Sequence, residues 1–491
     1  MAPTTLRPVL QLGNLLFLAL FALPLTGEPS YAESQGGATY AEQRPLPDRW
    51  HSRFLEEPVF GGRVFVVEAG DRQAPPVLLV HGLGQNGLRD WRRVIRALED
   101  NYRVVALDLP GFGRSPTPSG ALSPRRYTRL LFWLTRRLEM GKVHLVGHSM
   151  GAAIAIHLAA NHPAKVKDLF VANVAGILQR TAFLSGIISP RDLTTNLPPI
   201  LESGLQGLLG QSKRFLKRII VTTDLDPTTV LRRSSTPWQT SLDRRPNINA
   251  AISLLETNFS AEVHSLTVPT TIVWGSEDNV VPIRTGHLLH GLLPRNAFQV
   301  LEGADHVPMR THTDAFVRLL KEAFAQPPHS VGGNRRQAPV EDRECYNQKN
   351  VEISGHFDEI RLSHCPGAQL RDVWANQIQI NNSHDVSLRH VKIATETEAP
   401  GLDLLNSEVE ATDLRVEGEP AIRLDGGQLD LAGGILRSSQ AAFVNRAESL
   451  VVVSVTRIES GIEEGYLHGA LVAPEGPLDD SPRLNSARRP R

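Results

Sequence analysis

The chain has 491 residues, 52 lysines and arginines against 52 aspartates and glutamates, and 41% hydrophobic residues. At roughly 150 residues per domain it exceeds one small fold and has room for a large enzyme with an accessory module, while a formal net charge of zero offers no global field for nucleic acid or an acidic membrane. Two cysteines, Cys345 and Cys365, exclude a four-cysteine zinc site and a disulfide-dense scaffold but allow one bridge.

At the N-terminus Arg7 precedes an apolar run from Val9 to Leu25, and Ser30-Tyr31-Ala32 follows. This is the layout of a signal peptide over residues 1–32 with cleavage after Ala32. The mature chain is then expected to be periplasmic or secreted, where thiols are oxidised, and after the leader no segment is long and apolar enough to span a bilayer. Over residues 45–325 apolar β-branched runs alternate with helical patterns, which predicts an α/β unit with a sheet covered on both faces. Its candidate strands are Val64–Glu68, Pro76–Val80, Arg103–Leu107, Val143–Val146, Val166–Ala172, Thr270–Trp274 and Ala297–Leu301. Residues 177–263 break the alternation into leucine-rich pieces with prolines at Pro190, Pro198, Pro199, Pro227 and Pro237, and read as an inserted helical cap. Residues 326–343, rich in proline, glycine and arginine, read as a linker.

The period then changes. Residues 401–420 align without a gap to 421–440 and to 441–460, and the pattern begins again at Gly461. Apolar residues recur in register (Leu404, Leu424 and Val444; Leu402, Ile422 and Ala442), separated by Gly, Asn, Ser and Asp turns. The 20-residue spacing predicts a right-handed parallel β-helix over 344–473, in preference to an antiparallel sandwich, followed by a disordered tail over 474–491. Cys345 and Cys365, one repeat apart, are expected to lie above each other on successive coils and to form a disulfide. Asp403, Asp413, Asp425 and Asp430 are scattered over the repeat and read as solvated turns, not as a catalytic cluster. The repeat region is therefore expected to bind or space, with polysaccharide or another cell-envelope component as a partner.

The most specific motif is Gly147-His148-Ser149-Met150-Gly151, between the strand ending at Val146 and a small-residue helix beginning at Ala152. A serine nucleophile must stand proud of the sheet on a strained turn, and flanking glycines remove the side chains that would obstruct it. With three further ordered motifs the region from about Val59 to Phe324 resembles the α/β-hydrolase family, in its capped esterase, lipase and peptidase branch. The first is His81-Gly82-Leu83-Gly84 after an apolar strand; Asp108 to Ser115 follows, then Gly275-Ser276-Glu277-Asp278 at a strand end, and Ala304-Asp305-His306. The resemblance implies a triad of Ser149, Asp278 and His306, with the backbone N–H groups of Leu83 and Met150 as the oxyanion hole. It also implies that Gly82, Gly147 and Gly151 are motif glycines and that His81 and the Asp108 loop are structural. Glu277 neighbours the acid, but adjacent residues at a strand end point in opposite directions. No metal-ligand spacing stands out, the nearest being His287 and His290, and no cofactor is implied. The expected substrate is a small or lipid-like ester; a proline-type aminopeptidase, a C–C bond hydrolase, or a silent binding protein whose β-helix recognises polysaccharide are the alternatives.

Overall fold

The computed structural model describes residues 45–84, 86–182, 245–329, 341–395, 397–484 and 487–488. The expected leader, residues 183–244 of the cap and residues 330–340 of the linker lie outside the described residues.

The N-terminal domain is an eight-stranded sheet in the order β1-β2-β4-β3-β5-β6-β7-β8. Its strands are β1 His51–Glu57, β2 Gly62–Ala69, β3 Pro76–Val80, β4 Arg103–Asp108, β5 Val143–His148, β6 Val166–Ala172, β7 Thr270–Gly275 and β8 Asn296–Leu301. From β4 across to β8 neighbouring strands run parallel, and β1 and β2 add an antiparallel edge. Strand β1 carries no apolar run and is largely exposed. It forms because β2 offers it a hydrogen-bonding edge, and the Glu57 carboxylate closes the turn by accepting the Val59, Phe60 and Gly62 N–H groups.

Alternate residues of each strand serve opposite faces. Leu78, Val80, Leu145 and Ile272 belong to the apolar cluster shared with helices α2 Pro124–Arg137 and α3 Met150–Asn161. Val77, Leu79, Val146, Phe170 and Val273 instead join the cluster shared with α1 Arg92–Leu98 and α7 Thr313–Ala325. Between them in sequence lie α4 Pro246–Leu255, α5 Ser260–Ser265 and α6 Arg284–Leu292.

The C-terminal domain is an eleven-stranded β-region. Its strands are β9 Arg343–Tyr346, β10 Glu352–Ser363, β11 Gln369–Asn381, β12 Val386–Ala394, β13 Leu402–Glu417, β14 Ile422–Arg437, β15 Phe443–Asn445, β16 Ser449–Glu459, β17 Glu464–Ala473, β18 Gly476–Pro477 and β19 Ala487–Arg488. Strands β9 to β16 pair parallel, each beside the segment about one repeat away, a pairing compatible with the expected β-helix. Leu402 lies opposite Ile422 and Leu404 opposite Leu424, as the repeat predicts. Two rows of left-handed residues turn the long strands: Asn347, His364, Asn382, Asn406 and Gly426 in one, and Asp372, His390, Asp413, Gly433 and Val455 in the other. Asparagine, aspartate and glycine recur there because they tolerate positive φ at low cost.

Three details depart from the repeat. Ile422 lies opposite Phe443, not Ala442, and Leu424 opposite Asn445, not Val444. A one-residue slip exchanges the faces of a strand, and here it puts the larger Phe443 ring into the core. Gly461 does not begin another coil: β17 runs back antiparallel along β16 and covers the edge that the last parallel strand would leave open. The tail expected to be disordered carries structure, with β18 paired to β15 and β19 to β17, Leu478 and Leu484 in the core, and the Asp479 carboxylate accepting the Ala442 and Phe443 N–H groups.

Cys345 and Cys365 are bonded, with Cα atoms 6.4 Å apart, but they are not stacked in register, since Cys345 faces Leu362. The first coil is shorter than the repeat, and the bridge runs obliquely from β9 to the turn after β10. Nor are the aspartates all solvated. Asp413 and Asp430 are buried, and both lie where the two domains meet. There Ala432, Val452 and Val455 join the core cluster of the N-terminal domain.

The disulfide closes a loop with a sequence separation of 20, for which the chain-entropy relation gives about 3 kcal/mol. The Cys345→Ala/Cys365→Ala variant should lose that much stability in urea titrations under oxidising conditions, and reductant should shift the wild type but not the variant.

Candidate active site

Three strand ends bring the predicted residues together. Ser149 follows β5 directly at φ 53° and ψ −121°, a conformation that a residue with a side chain adopts only under constraint. The constraint is close packing on both sides. A Cβ on Gly147 would lie 2.6 Å from Ala152 Cα, and one on Gly151 would lie 2.3 Å from the His81 carbonyl oxygen. The turn can therefore sit against β3 and α3 only with hydrogen at both positions. Gly82 extends the packing, since a Cβ there would lie 2.8 Å from Ser149 Cβ.

His306 Nε2 is 3.1 Å from Ser149 Oγ, and His306 Nδ1 is 2.9 Å from Asp278 Oδ2. A carboxylate oxygen only accepts, so Nδ1 carries the proton and Nε2 presents its lone pair to the serine hydroxyl. Asp278 Oδ1 accepts the Val280 and Val281 N–H groups at 2.8 and 3.0 Å. Burial works to raise the Asp278 carboxyl, but the His306 hydrogen bond and charge, with help from Asn173 and Val281, outweigh it and hold the pKa below the usual carboxylate value. Glu277 is exposed at the neighbouring position, but strand alternation is not the reason: β7 ends at Gly275, Ser276 and Glu277 form an exposed turn, and the Asp278 N–H returns to the Gly275 carbonyl at 3.2 Å, which places Asp278 beside His306. Met150 is the first residue of α3, and the leading N–H groups of a helix have no intrahelical acceptor; Leu83 adjoins Gly82 across the serine.

The structural roles expected for His81 and the Asp108 loop agree with their contacts. His81 Nδ1 donates to the Gly82 carbonyl at 2.7 Å, and Nε2 accepts the Leu109 N–H at 2.9 Å, which consumes both ring nitrogens. Asp108 accepts the Leu88 and Arg114 N–H groups. His287 and His290 lie on α6 against His390 of the C-terminal domain, and no group of metal-ligating side chains occurs among the described residues.

Two positions escaped the sequence reading. Asn173, at the end of β6 with φ 49°, donates from Nδ2 to Asp278 Oδ2 at 2.5 Å, the oxygen that also faces His306. His148 donates from Nε2 to the His306 carbonyl at 2.6 Å and so holds the backbone of the residue whose ring faces Ser149. The local signal for Asn173 was an asparagine directly after an apolar strand, where a left-handed residue is tolerated.

Residues 75–313 match the sequence profile of the alpha/beta hydrolase fold. This part of the chain belongs to the α/β-hydrolase family. The hydrolase domain is similar to a pimeloyl-[acyl-carrier protein] methyl ester esterase of Aeromonas hydrophila, 29% identical over 265 residues that make up 51% of this chain and 95% of the esterase. It is also similar to Lipase 1 of Psychrobacter immobilis, 27% identical over 268 residues, 51% of this chain and 76% of the lipase. A 2-hydroxy-6-oxononadienedioate/2-hydroxy-6-oxononatrienedioate hydrolase of Escherichia coli is 27% identical over 302 residues, 58% of this chain and 99% of that enzyme. These relatives are hydrolases of one fold with different substrates.

Within the hydrolase domain His148 has a measurable signature. Burial first, and then the neighbouring His306, push its pKa down to about 3. The unfolded chain protonates this ring near pH 6.5, so between pH 6.5 and 3 the unfolded state binds the extra proton and stability decreases as the pH is lowered, by up to about 1.4 kcal/mol per unit. Denaturation series at pH 7 and pH 5 should differ by about 2 kcal/mol on this account, and His148→Gln should flatten that dependence.

Proposed function

We propose that the protein is an exported serine hydrolase that cleaves carboxylic esters through an acyl-enzyme. The observation that carries this reading is the chain of contacts from Ser149 Oγ through His306 to Asp278, with the serine on a strained turn at the end of a strand. In the reaction the Ser149 hydroxyl attacks the ester carbonyl as His306 Nε2 takes its proton, and Asp278 stabilises the resulting imidazolium. The Leu83 and Met150 N–H groups receive the oxyanion, and loss of one such donor typically costs about 10²–10³ in rate. The carbonyl re-forms as the alcohol departs with the proton held on His306. Water, deprotonated by the same ring, then releases the acid and frees Ser149.

Similarity to an esterase and a lipase supports an ester over other acyl substrates, and the Cys345–Cys365 bridge supports an oxidising compartment outside the cytoplasm. The relative that acts on a dienedioate or trienedioate keeps C–C bond hydrolysis as the second reading. A fluorophosphonate should label the wild type and not Ser149→Ala, and Ser149→Ala should lower hydrolysis by roughly 10⁴–10⁶-fold. A panel of p-nitrophenyl esters from acetate to palmitate should be turned over, with the chain-length optimum reporting the acyl pocket. Cleavage of an amino-terminal proline amide or of a C–C bond, without turnover of any ester in the panel, would overturn the esterase reading.

A polysaccharide is the companion ligand proposed for the C-terminal domain. Its outer face carries a cleft of about 170 Å³ that crosses β10 to β14 and includes His356, Trp374, Asn376, Lys392, Glu417 and Arg437. An indole beside planar amide, carboxylate and guanidinium groups suits the apolar face and paired hydroxyls of a sugar. The full-length protein should be retarded in native gels that contain the recognised polysaccharide, and Trp374→Ala should remove the retardation while leaving ester hydrolysis intact.

A further inference from the structure

The two domains are joined by a polar contact that leads directly to the loop of Asp278. Arg284 opens α6, and its side chain enters the C-terminal domain, where only 12% of it remains exposed. There Nε donates to Thr412 Oγ1 at 2.9 Å, Nη1 to Asp430 Oδ1 at 2.9 Å, and Nη2 to the carbonyl oxygens of Ala411 and Asp430 at 2.7 and 2.9 Å. The Asp430 side chain is 1% exposed. A buried guanidinium with its donors consumed in this fixed fork cannot shift without leaving charge and hydrogen bonds unsatisfied, so the contact pins the first turn of α6 in place.

The rest of α6 is held on the same surface. The Arg415 guanidinium donates to the Gly291 carbonyl at 2.7 Å, and Leu288 packs so closely that a Cβ on Gly433 would lie 2.8 Å from its Cγ. On the other side of Arg284 the chain is short and taut. Thr285 N–H bonds the Pro282 carbonyl at 3.0 Å, the Trp274 indole N–H donates to the Val281 carbonyl at 3.3 Å, and the Val280 and Val281 N–H groups are the ones that fix Asp278 Oδ1. Displacing the start of α6 would therefore displace the amides that hold the acid.

We propose that the C-terminal β-domain is an intramolecular brace for the active site, and that Arg284 is a positioning residue that fixes the Asp278 loop through Asp430, Thr412 and Ala411. The inference rests on the hydrolase reading of Ser149, Asp278 and His306. It makes the C-terminal domain a working part of the hydrolase, whatever its outer face binds.

The test uses full-length Arg284→Met, Arg284→Lys and Arg284→Met/Asp430→Asn, with folding measured alongside kcat, KM and the rate of fluorophosphonate labelling. Arg284→Met should lower kcat and the labelling rate about tenfold to a hundredfold, the range expected for a catalytic group misplaced by about 1 Å, with KM changed less than about threefold. Arg284→Lys keeps the charge and loses the fork, so its loss should be intermediate. The double variant removes the anion that would otherwise lose its cation; it should recover folding but not kcat. A folded Arg284→Met with wild-type kcat, or a double variant that regains both stability and kcat, would overturn the proposal and reduce Arg284 to a structural contact. If the single variant does not fold, the double and lysine variants decide in the same way. A wild type that neither labels nor hydrolyses would instead count against the hydrolase reading. The low-field proton resonance of the His306 Nδ1–H held by Asp278 then serves as the readout, and its retention unchanged in the Arg284 variants would overturn the positioning role.

Discussion

The packing of β5, the Ser149 turn and α3 against β3 is the constraint on which the rest of the site depends. A left-handed serine is costly in isolation, and it persists because Gly147 and Gly151 let backbone approach backbone on both sides. That approach sets Ser149 Oγ at the carboxyl end of the parallel strands, where the loops after β7 and β8 deliver Asp278 and His306. It also starts α3 at Met150, so the helix N-terminus and the serine share one origin. Loosening the turn would move Ser149 Oγ, the Met150 N–H and the helix together.

Around that turn the acid is held with unusual completeness. Both oxygens of Asp278 are occupied, one by two backbone N–H groups and the other by Asn173 and His306. A carboxylate so saturated stays ionised despite burial, and this fixes the His306 tautomer that leaves Nε2 free to accept. The same economy appears on the far side of the ring, where His148 holds the His306 backbone while remaining neutral itself.

The domain contact extends this ordering beyond the hydrolase fold. Apolar residues of β14 and β16 complete a core that begins in the N-terminal sheet, and a row of left-handed corners supplies the surface on which α5 and α6 sit. His264 Nε2 donates to the Val455 carbonyl at 3.1 Å, and Gln179 N–H to Ser454 Oγ at 2.9 Å. Gln179 belongs to the expected cap and His264 directly follows it, so the C-terminal domain also touches the hydrolase on either side of residues 183–244.

Much of this was legible in the sequence because it is local. Seven of the eight strands of the first sheet announce themselves as apolar runs, and the glycine-flanked Ser149 turn needs only its neighbours to be recognised. The repeat at Leu402 and Ile422 follows from the fixed rise of stacked strands. What local pattern could not decide depends on partners far away in the chain. Strand β1 has no apolar run and exists through the edge of β2; Asn173 meets an acid 105 residues on; the slip at Phe443 and the reversal at Gly461 answer to core volume and to an open sheet edge. Asp413 and Asp430 carry no local sign that they face another domain instead of water. The sequence alone determined the fold of the first domain and marked the motifs that meet at its strand ends, because backbone periodicity and side-chain type act at short range. Only the tertiary structure decided which charges are buried and how the repeats join the hydrolase, because burial belongs to the surface an opposing element happens to cover.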